Sequence, residues 1–316
     1  MLIVSAVHDI QKPTALTLGN FDGLHRGHMS LVDHLIHHAC ESGLRSVMLT
    51  FDPHPVEQLI PGTVMRRICG LPEMQRVLEP AGLDYLVQLA FTPEIAAMDA
   101  LTFWNRIIME QIHPRFVIVG EDHTFGRNRQ GTPSMLQHLG TADGVNVVVS
   151  PKLCIDGSAV SSTRIRELIS RAAVAEARYL LGHGLFYTGT VEHGAGRGTG
   201  MGFPTANLRL TGRMLPPPGV YLSRTELPDG WHASISYLGR APTFRGDTTW
   251  LETHILNGVY ALYDTEITVD IGDRIREDRV FDSKEALIAQ IRDDLAQARA
   301  AIAGGWTDPA AEREGG

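Results

Sequence analysis

The chain has 316 residues, 43% of them hydrophobic and 20% charged, which excludes a disordered or collagen-like polymer and, at about 150 residues per domain, suggests two domains. Its 28 basic and 36 acidic residues leave a net charge of −8, which argues against broad electrostatic binding to nucleic acid or an anionic membrane, so any phosphate must be held locally. Only three lysines occur, Lys12, Lys152 and Lys284, and none follows a glycine, so a P-loop is excluded.

No run of 18 apolar residues is present, and Met1 to Asp9 is too polar and short for a secretory leader. Three separated cysteines, Cys40, Cys69 and Cys154, suggest neither a disulfide framework nor a zinc site and read as reduced and mostly packed. The expectation is a cytoplasmic protein, monomeric or weakly self-associating, with no nucleic-acid or membrane partner.

In chain order, β-branched runs at Ala15–Leu18, Ser46–Thr50, Tyr85–Leu89, Arg115–Val119 and Val145–Val149 read as strands. Between them Met29–Cys40, Leu71–Glu79 and Ala100–Gln111 carry apolar residues at three- and four-residue spacing, as crossover helices do. The pattern predicts a doubly wound α/β domain with a parallel sheet. Thr163–Ser170 and Ala172–Leu181 read as two further helices, and beyond Gly182 the texture changes to glycine, proline and short alternating strands. Strands at Tyr187–Val191, Gly219–Arg224, Ala233–Leu238, Leu251–Leu256 and Glu266–Ile271 predict a small antiparallel barrel or sandwich, closed by a helix over Ser283–Ile302. The domains are therefore read as 1–182 and 183–305, with a loose tail at 306–316.

Residues Gly19 to His28 read GNFDGLHRGH, directly after a predicted strand and before a predicted helix. At the carboxyl end of a parallel strand, a helix N-terminus offers amides and a positive dipole end to an anion. His25 and His28 flank that spot, and imidazole donors there can hold the phosphates of ATP as its α-phosphorus is attacked. Gly19, Asn20, Phe21, Asp22 and Gly23 complete the phosphate loop. By themselves these residues read equally as an ordinary helix cap. A second anion clamp is offered by Val160 to Arg166, VSSTRIR, where Ser161, Ser162, Thr163 and Arg166 open a helix and suit a leaving pyrophosphate.

In the second domain Gly194 to Leu208 read GAGRGTGMGFPTANL. Gly194, Gly196, Gly198 and Gly202, with Pro204, allow backbone amides to approach phosphates, and Thr205 and Asn207 offer neutral oxygens to Mg²⁺. A flexible hairpin loop has the same composition. Glu252, in WLETHIL, falls on a following strand, where a carboxylate can accept the proton of a hydroxyl attacking the γ-phosphorus of ATP, or can simply be solvated.

The pair GNFDGLHRGH and VSSTRIR resembles the HxGH and SSTxxR signatures of the nucleotidylyltransferase superfamily. With FDPHP at Phe51 to Pro55, VGEDHTFGRNRQGT at Val119 to Thr132, GFPTANL, PPGVYL at Pro217 to Leu222 and APTF at Ala241 to Phe244, the chain resembles bacterial bifunctional riboflavin kinase and FAD synthetase from about Thr14 to Arg299. That resemblance implies catalytic roles for His25, His28, Arg166 and Glu252, with ATP as co-substrate, Mg²⁺ at Thr205 and Asn207, and riboflavin, FMN and FAD as substrates and products. It implies flavin contacts at Phe51, Pro53, His54, Pro55, Asp122, His123 and Phe125 in the first domain and at Arg276 and Phe281 in the second.

The chain departs from the family's pattern at Thr199 to Met201, where the glycine loop lacks its basic residue, and at Tyr237, Asn257, Asp264 and Asp278. In the first domain His123 stands where an aromatic residue is usual. Three readings follow: a bifunctional enzyme, a paralogue that keeps the adenylyltransferase and has an altered kinase half or a modified-flavin substrate, or a flavin- and nucleotide-binding regulator without catalysis.

Overall fold

Thr14–Leu18 is buried at all five positions, as a strand covered on both faces must be, and in the computed structural model it lies inside a parallel sheet. The structure describes residues 1–4, 10–60, 62–193, 199–240, 249–258, 260–304 and 306. Gly194, Gly196 and Gly198, the Ala241–Phe244 segment and the tail from Thr307 onward lie outside the described residues.

Contacts divide the chain into two units, Met1–Met65 with Met74–Ser161, and Arg66–Glu73 with Ser162–Gly316. The texture of the sequence put the boundary at 182; the contacts put it at Ser161/Ser162.

The first unit runs β1 (Leu2–Val4), β2 (Thr14–Leu18), α1 (Arg26–Ser42), β3 (Arg45–Asp52), α2 (Pro55–Leu59), α3 (Leu71–Ala81, whose first three residues belong to the second unit), β4 (Tyr85–Ala90), α4 (Pro93–Ala97), α5 (Ala100–Phe103), a π-helix (Trp104–Ile112), β5 (Pro114–Gly120), α6 (Pro133–Asp143), β6 (Asn146–Ser150) and a two-stranded ribbon of β7 (Cys154–Ile155) and β8 (Ser158–Ala159). The sheet order is β1-β4-β3-β2-β5-β6, parallel throughout. After β2 the chain builds outward through β3 and β4, then returns to place β5 on the other flank of β2. The order reverses between β2 and β5, and a crevice outside their carboxyl ends is where such sheets take ligands.

Helix α1 buries Met29, Val32, Leu35 and Ala39 at three- and four-residue spacing, and Gly43 ends it in the left-handed region at φ 63°. The predicted helix over Ala100–Gln111 is a correction: only its first turn is α, and Trp104–Ile112 is wound as a π-helix. Trp104, Ile107, Ile108 and Ile112 are all buried there, and the Trp104 indole donates to Asp143 at 2.6 Å. Tertiary burial of these large side chains overrides the 3.6-residue period.

The second unit holds α7 (Ser162–Ser170), α8 (Val174–Leu181), β9 (Leu185–Glu192), β10 (Ala206–Leu210), β11 (Gly219–Leu227), β12 (Gly230–Arg240), β13 (Thr249–Ile255), β14 (Glu266–Glu277) and α9 (Lys284–Ala303). Its six strands close into an antiparallel barrel in the order β10-β13-β12-β11-β14-β9, so the predicted barrel-or-sandwich resolves to a barrel. The barrel interior is partly polar. The hydroxyls of Ser223, Ser234, Ser236, Thr225 and Thr253 are linked at 2.8–2.9 Å, and each residue is buried. In this open chain Ser234, Ser223 and Ser236 can each donate to one neighbour and accept from the other, with Thr225 and Thr253 at its ends.

Two buried carboxylates tie the outer elements on. Asp270, fully buried on β14, accepts from Arg178 of α8 at 2.8 Å and Arg224 of β11 at 3.0 Å. Glu73 accepts from Arg213 at 2.9 Å and from the backbone of Gly70 and Thr188 at 2.9 and 2.7 Å. The cysteines are free, but only Cys69 is buried; Cys40 and Cys154 are exposed, which corrects the expectation that most are packed.

Removing Asp270 leaves the buried Arg178 guanidinium without its counterion. Asp270→Ala should therefore cost about 3–5 kcal/mol. Arg224→Ala leaves the Arg178 pair intact and should cost about 1–2 kcal/mol. Urea unfolding of both variants checks the order, and equal losses would contradict it.

Candidate active sites

At the carboxyl end of β2 the backbone turns through left-handed residues, Phe21 at φ 40°, Gly23 at 88° and Leu24 at 41°. Phe21 and Leu24 are buried, and their side chains hold this costly conformation in place. The turn delivers His25 to the N-cap of α1, where its Nδ1 accepts from the His28 amide at 3.2 Å. The His25 and His28 rings stack at 3.7 Å and 15°, with Phe21 edge-on to His28 at 5.2 Å. Gly27 belongs to this packing: a Cβ there would stand 3.2 Å from the His25 ring.

These contacts assign the protons. His25 Nδ1 is an acceptor, so its proton sits on Nε2. His28 Nδ1 is sealed from solvent without a partner, and a stranded acceptor costs less than a stranded N–H, so its proton also sits on Nε2. Burial, and then the neighbouring His25 ring, push the His28 pKa well below the ordinary 6.5. The result is two neutral imidazoles, each with a donor at Nε2, at a helix N-terminus. Of the remaining loop residues, Asn20 is exposed, Gly19 half-buried, and Asp22 and Gly23 buried.

Across the switch point the loop after β5 carries Asp122, His123 and Phe125. The His123 amide donates to the Gly120 carbonyl at 3.0 Å, and the Asp122 carboxylate pairs with Lys152 at 3.1 Å. The His123 ring lies parallel to Phe125, centroids 5.9 Å apart, and burial pushes its pKa down to about 4. Gly126 sits at φ 70°, where a Cβ would come within 2.6 Å of the Ala100 backbone, so the turn into Phe125 requires glycine. Phe51, at the end of β3, meets Phe91 edge-on at 5.3 Å and Phe103 at 6.4 Å, and Phe103 meets Phe125 at 6.1 Å. The Asp52–Pro53 peptide is cis, and Pro55 opens α2. His54 is the N-cap of that helix: its Nδ1 accepts from Val56 and its own amide donates to Glu57. The sequence did not reveal Phe91 and Phe103 as part of this aromatic wall, because their contacts join segments far apart in the chain.

In the second unit Ser162 and Thr163 open α7 with Arg166 one turn on, while Ile165, Leu168 and Ile169 face inward. Ser161 closes the first unit.

On the barrel, Asn207 of β10 lies opposite Glu252 of β13, and Glu252 lies opposite Tyr237 of β12. Asn207 is buried, and its Nδ2 donates to the Thr205 carbonyl at 3.3 Å, which leaves Oδ1 as the atom available to a cation. With the Thr205 hydroxyl it makes a hard, neutral oxygen pair beside a carboxylate strand, a donor set that fits Mg²⁺. Thr205 and Pro204 also line a cavity of about 210 Å³ with Thr253, Tyr260 and Tyr263; Glu252 is not among its lining residues. Gly202 stands near by in the chain at φ 88°.

Tyr237 donates to Asp278 at 3.1 Å, so two positions that depart from the family's pattern are bonded to each other beside Glu252. Burial, then Asp278 and Glu252, push the Tyr237 phenol up to about 12. Arg276 is held by Asp294 of α9 at 2.9–3.0 Å, with Phe281 5.5 Å from its guanidinium. A chain absent from the sequence reading links Tyr260 at the cavity to His232 at 3.2 Å and His232 to Asp229 at 2.7 Å. Tyr260 and His232 are 28 residues apart, so no local spacing announces them.

His123 takes up no second proton in the folded chain until about pH 4, whereas the unfolded chain takes one up near 6.5. The unfolded state holds more protons between those values, so stability should fall as pH drops from 6.5 to 4. Unfolding free energies of wild type and His123→Phe across that window check this: the slope should be shallower in the variant.

A family model for FAD synthetase matches residues 7–164 and one for riboflavin kinase matches residues 181–302. A bifunctional riboflavin kinase/FMN adenylyltransferase of Pseudomonas fluorescens is 34% identical over 307 residues, 96% of this chain and 98% of its own. The protein of that description from Escherichia coli (strain K12) is 32% identical over 320 residues, 98% and 100% of the two chains. A crystal structure described as a macrolide-efflux protein from Streptococcus pneumoniae superimposes with a TM-score of 0.84 at 30% identity, over 97% of this chain and 99% of that one. No helix among the described residues is long and apolar enough to cross a membrane. With both matches in tandem and relatives aligned over nearly their full length, the chain belongs to the bifunctional riboflavin kinase/FMN adenylyltransferase family.

Proposed function

We propose that the chain phosphorylates riboflavin to FMN with ATP and adenylylates FMN to FAD with a second ATP, releasing pyrophosphate. The observation that carries the second step is the stacked pair of neutral imidazoles at the N-terminus of α1. In this reading a phosphate oxygen of FMN attacks the α-phosphorus of ATP and the bond to pyrophosphate breaks. His25 and His28 donate from Nε2 to the phosphate oxygens on which charge accumulates, with the helix dipole adding to the same field. Ser161, Ser162, Thr163 and Arg166 bind the leaving pyrophosphate, and Gly19 to Gly23 shape the loop around the nucleotide. Phe51, Pro53, Pro55, Asp122, His123 and Phe125 form the flavin side. His54 contributes by capping α2, which fixes the segment that carries the two prolines.

In the barrel, Glu252 accepts the proton of the ribityl 5′-hydroxyl as that oxygen attacks the γ-phosphorus and ADP leaves. Thr205 and Asn207 hold Mg²⁺, which when bound neutralises charge on the ATP phosphates. Gly202 and Pro204 lie beside those phosphates in this reading, and the same contact is assigned to Gly194, Gly196 and Gly198 on their sequence alone. Arg276 and Phe281 flank the flavin, Arg276 acting through the segment it anchors on α9. This chemistry needs neither a second copy of the chain nor a nucleic-acid or membrane partner, and its use of ATP fits the cytoplasm.

The two sites are separable by substitution. His28→Ala should lower FAD formation from FMN by about 10²–10³-fold and spare FMN formation from riboflavin. Glu252→Gln should lower FMN formation by about 10²–10⁴-fold and spare FAD formation. Chromatography of the flavins after incubation with ATP and Mg²⁺ checks both, and loss of both activities from either change would refute the assignment.

A further inference from the structure

His123 lies on the acceptor-side loop, and among the described residues no hydrogen bond is made by its ring nitrogens. Its Nε2 is sealed from solvent without a partner, and among the described residues none forms a hydrogen bond with Nδ1. Phe125 lies parallel to the ring, so stacking alone fixes its plane. The nearest carboxylate, Asp122, is engaged by Lys152 at 3.1 Å and does not hold the imidazole proton. A phenyl ring would fill the same space without stranding a polar atom, so the imidazole has a use outside the folded chain's own hydrogen bonds.

Burial keeps the ring neutral, so it carries one proton. A sealed N–H without an acceptor is costlier than a sealed lone pair, which puts that proton on Nδ1, the nitrogen that is not sealed. His28 and His123 thus have opposite tautomers for one reason: in each, the nitrogen buried against the protein is left bare and the other carries the donor. His28, in the first turn of the helix after β2, and His123, on the loop after β5, follow the two strands at which the sheet order reverses.

We propose that His123 is a specificity-determining residue of the adenylyl-transfer site, donating from Nδ1 to a hydrogen-bond acceptor on the edge of the planar heteroaromatic ring of the incoming flavin phosphate. The inference rests on reading this crevice as the site where FMN is adenylylated. It adds a directional contact to what stacking supplies: stacking accepts any flat ring, whereas the N–H selects rings with an acceptor atom at that edge.

Two measurements test it on the full chain. In FAD formation, His123→Phe should raise the KM for FMN about tenfold, the loss of one hydrogen bond, and change kcat less than about threefold. His123→Asn, whose amide nitrogen overlays Nδ1, should restore KM, and His123→Gln, whose amide reaches toward the Nε2 position, should not. An unchanged KM in His123→Phe, or rescue by glutamine rather than asparagine, overturns the proposal.

With ¹⁵N-labelled histidine, the free protein should show His123 protonated at Nδ1 and bare at Nε2, and FMN alone, without ATP, should shift the Nδ1 signal. A bare Nδ1, or a signal that FMN does not move, also overturns it. If FMN moves that signal but the wild type forms no FAD, the adenylylation reading falls and the His123 contact stands. If FAD forms while the signal and the His123→Phe KM stay unchanged, the contact falls and the reading stands.

Discussion

The amides that open a helix have no partners within it, and the first unit answers this at α1 with a histidine instead of the usual serine or aspartate. The consequences of that bond spread through the site. Because His25 Nδ1 accepts from the His28 amide, its proton is held on the far nitrogen and its ring is fixed in plane. The His28 ring can then lie flat upon it, and a Cβ at Gly27 would crowd the His25 ring at 3.2 Å. A carboxylate at the cap would satisfy the same amide but would bring a negative charge to the place proposed for the phosphates of ATP. The imidazole caps the helix and leaves the field positive.

The barrel solves a different problem. The side chains of its proposed site lie on neighbouring strands, so their spacing is set by the ladder: Asn207 opposite Glu252, and Glu252 opposite Tyr237. What the ladder needs is a firm interior, and here the interior is partly a linked chain of serine and threonine hydroxyls. That chain ends at Thr253, next in sequence to Glu252, so the rigidity of the polar core reaches the strand that carries the proposed proton acceptor. The bond from Tyr237 to Asp278 shows the same economy, joining two departures from the family's pattern into one contact.

Much of this was legible in the amino-acid order. Strands β2 to β6 were readable because each is a mostly apolar run, fully buried in β2 and partly so at the edge in β6, and α1 because its core face repeats at the helical period. Strand β1 has only three residues, and β10 was obscured by the proline and glycine motif before it, so neither had enough periodicity to be seen. The stretch after Ala100 has a helical pattern, yet burial of Trp104 and its isoleucines widens it to π, a choice that spacing does not encode.

For the site, the sequence by itself determined which residues gather: short motifs keep His25 near His28 and Thr205 near Asn207, because a few bonds of backbone cannot separate them. It also determined that a phosphate clamp built on glycine and lysine is absent. Only the tertiary structure decided their chemical states and the partners they meet. The proton on each imidazole depends on which nitrogen the fold seals, and the retention of Arg276 by Asp294 and the approach of Tyr237 to Asp278 depend on chain closure over many residues. Protonation and long-range pairing are set by desolvation and geometry, which arise when distant segments pack and have no local signature in the chain.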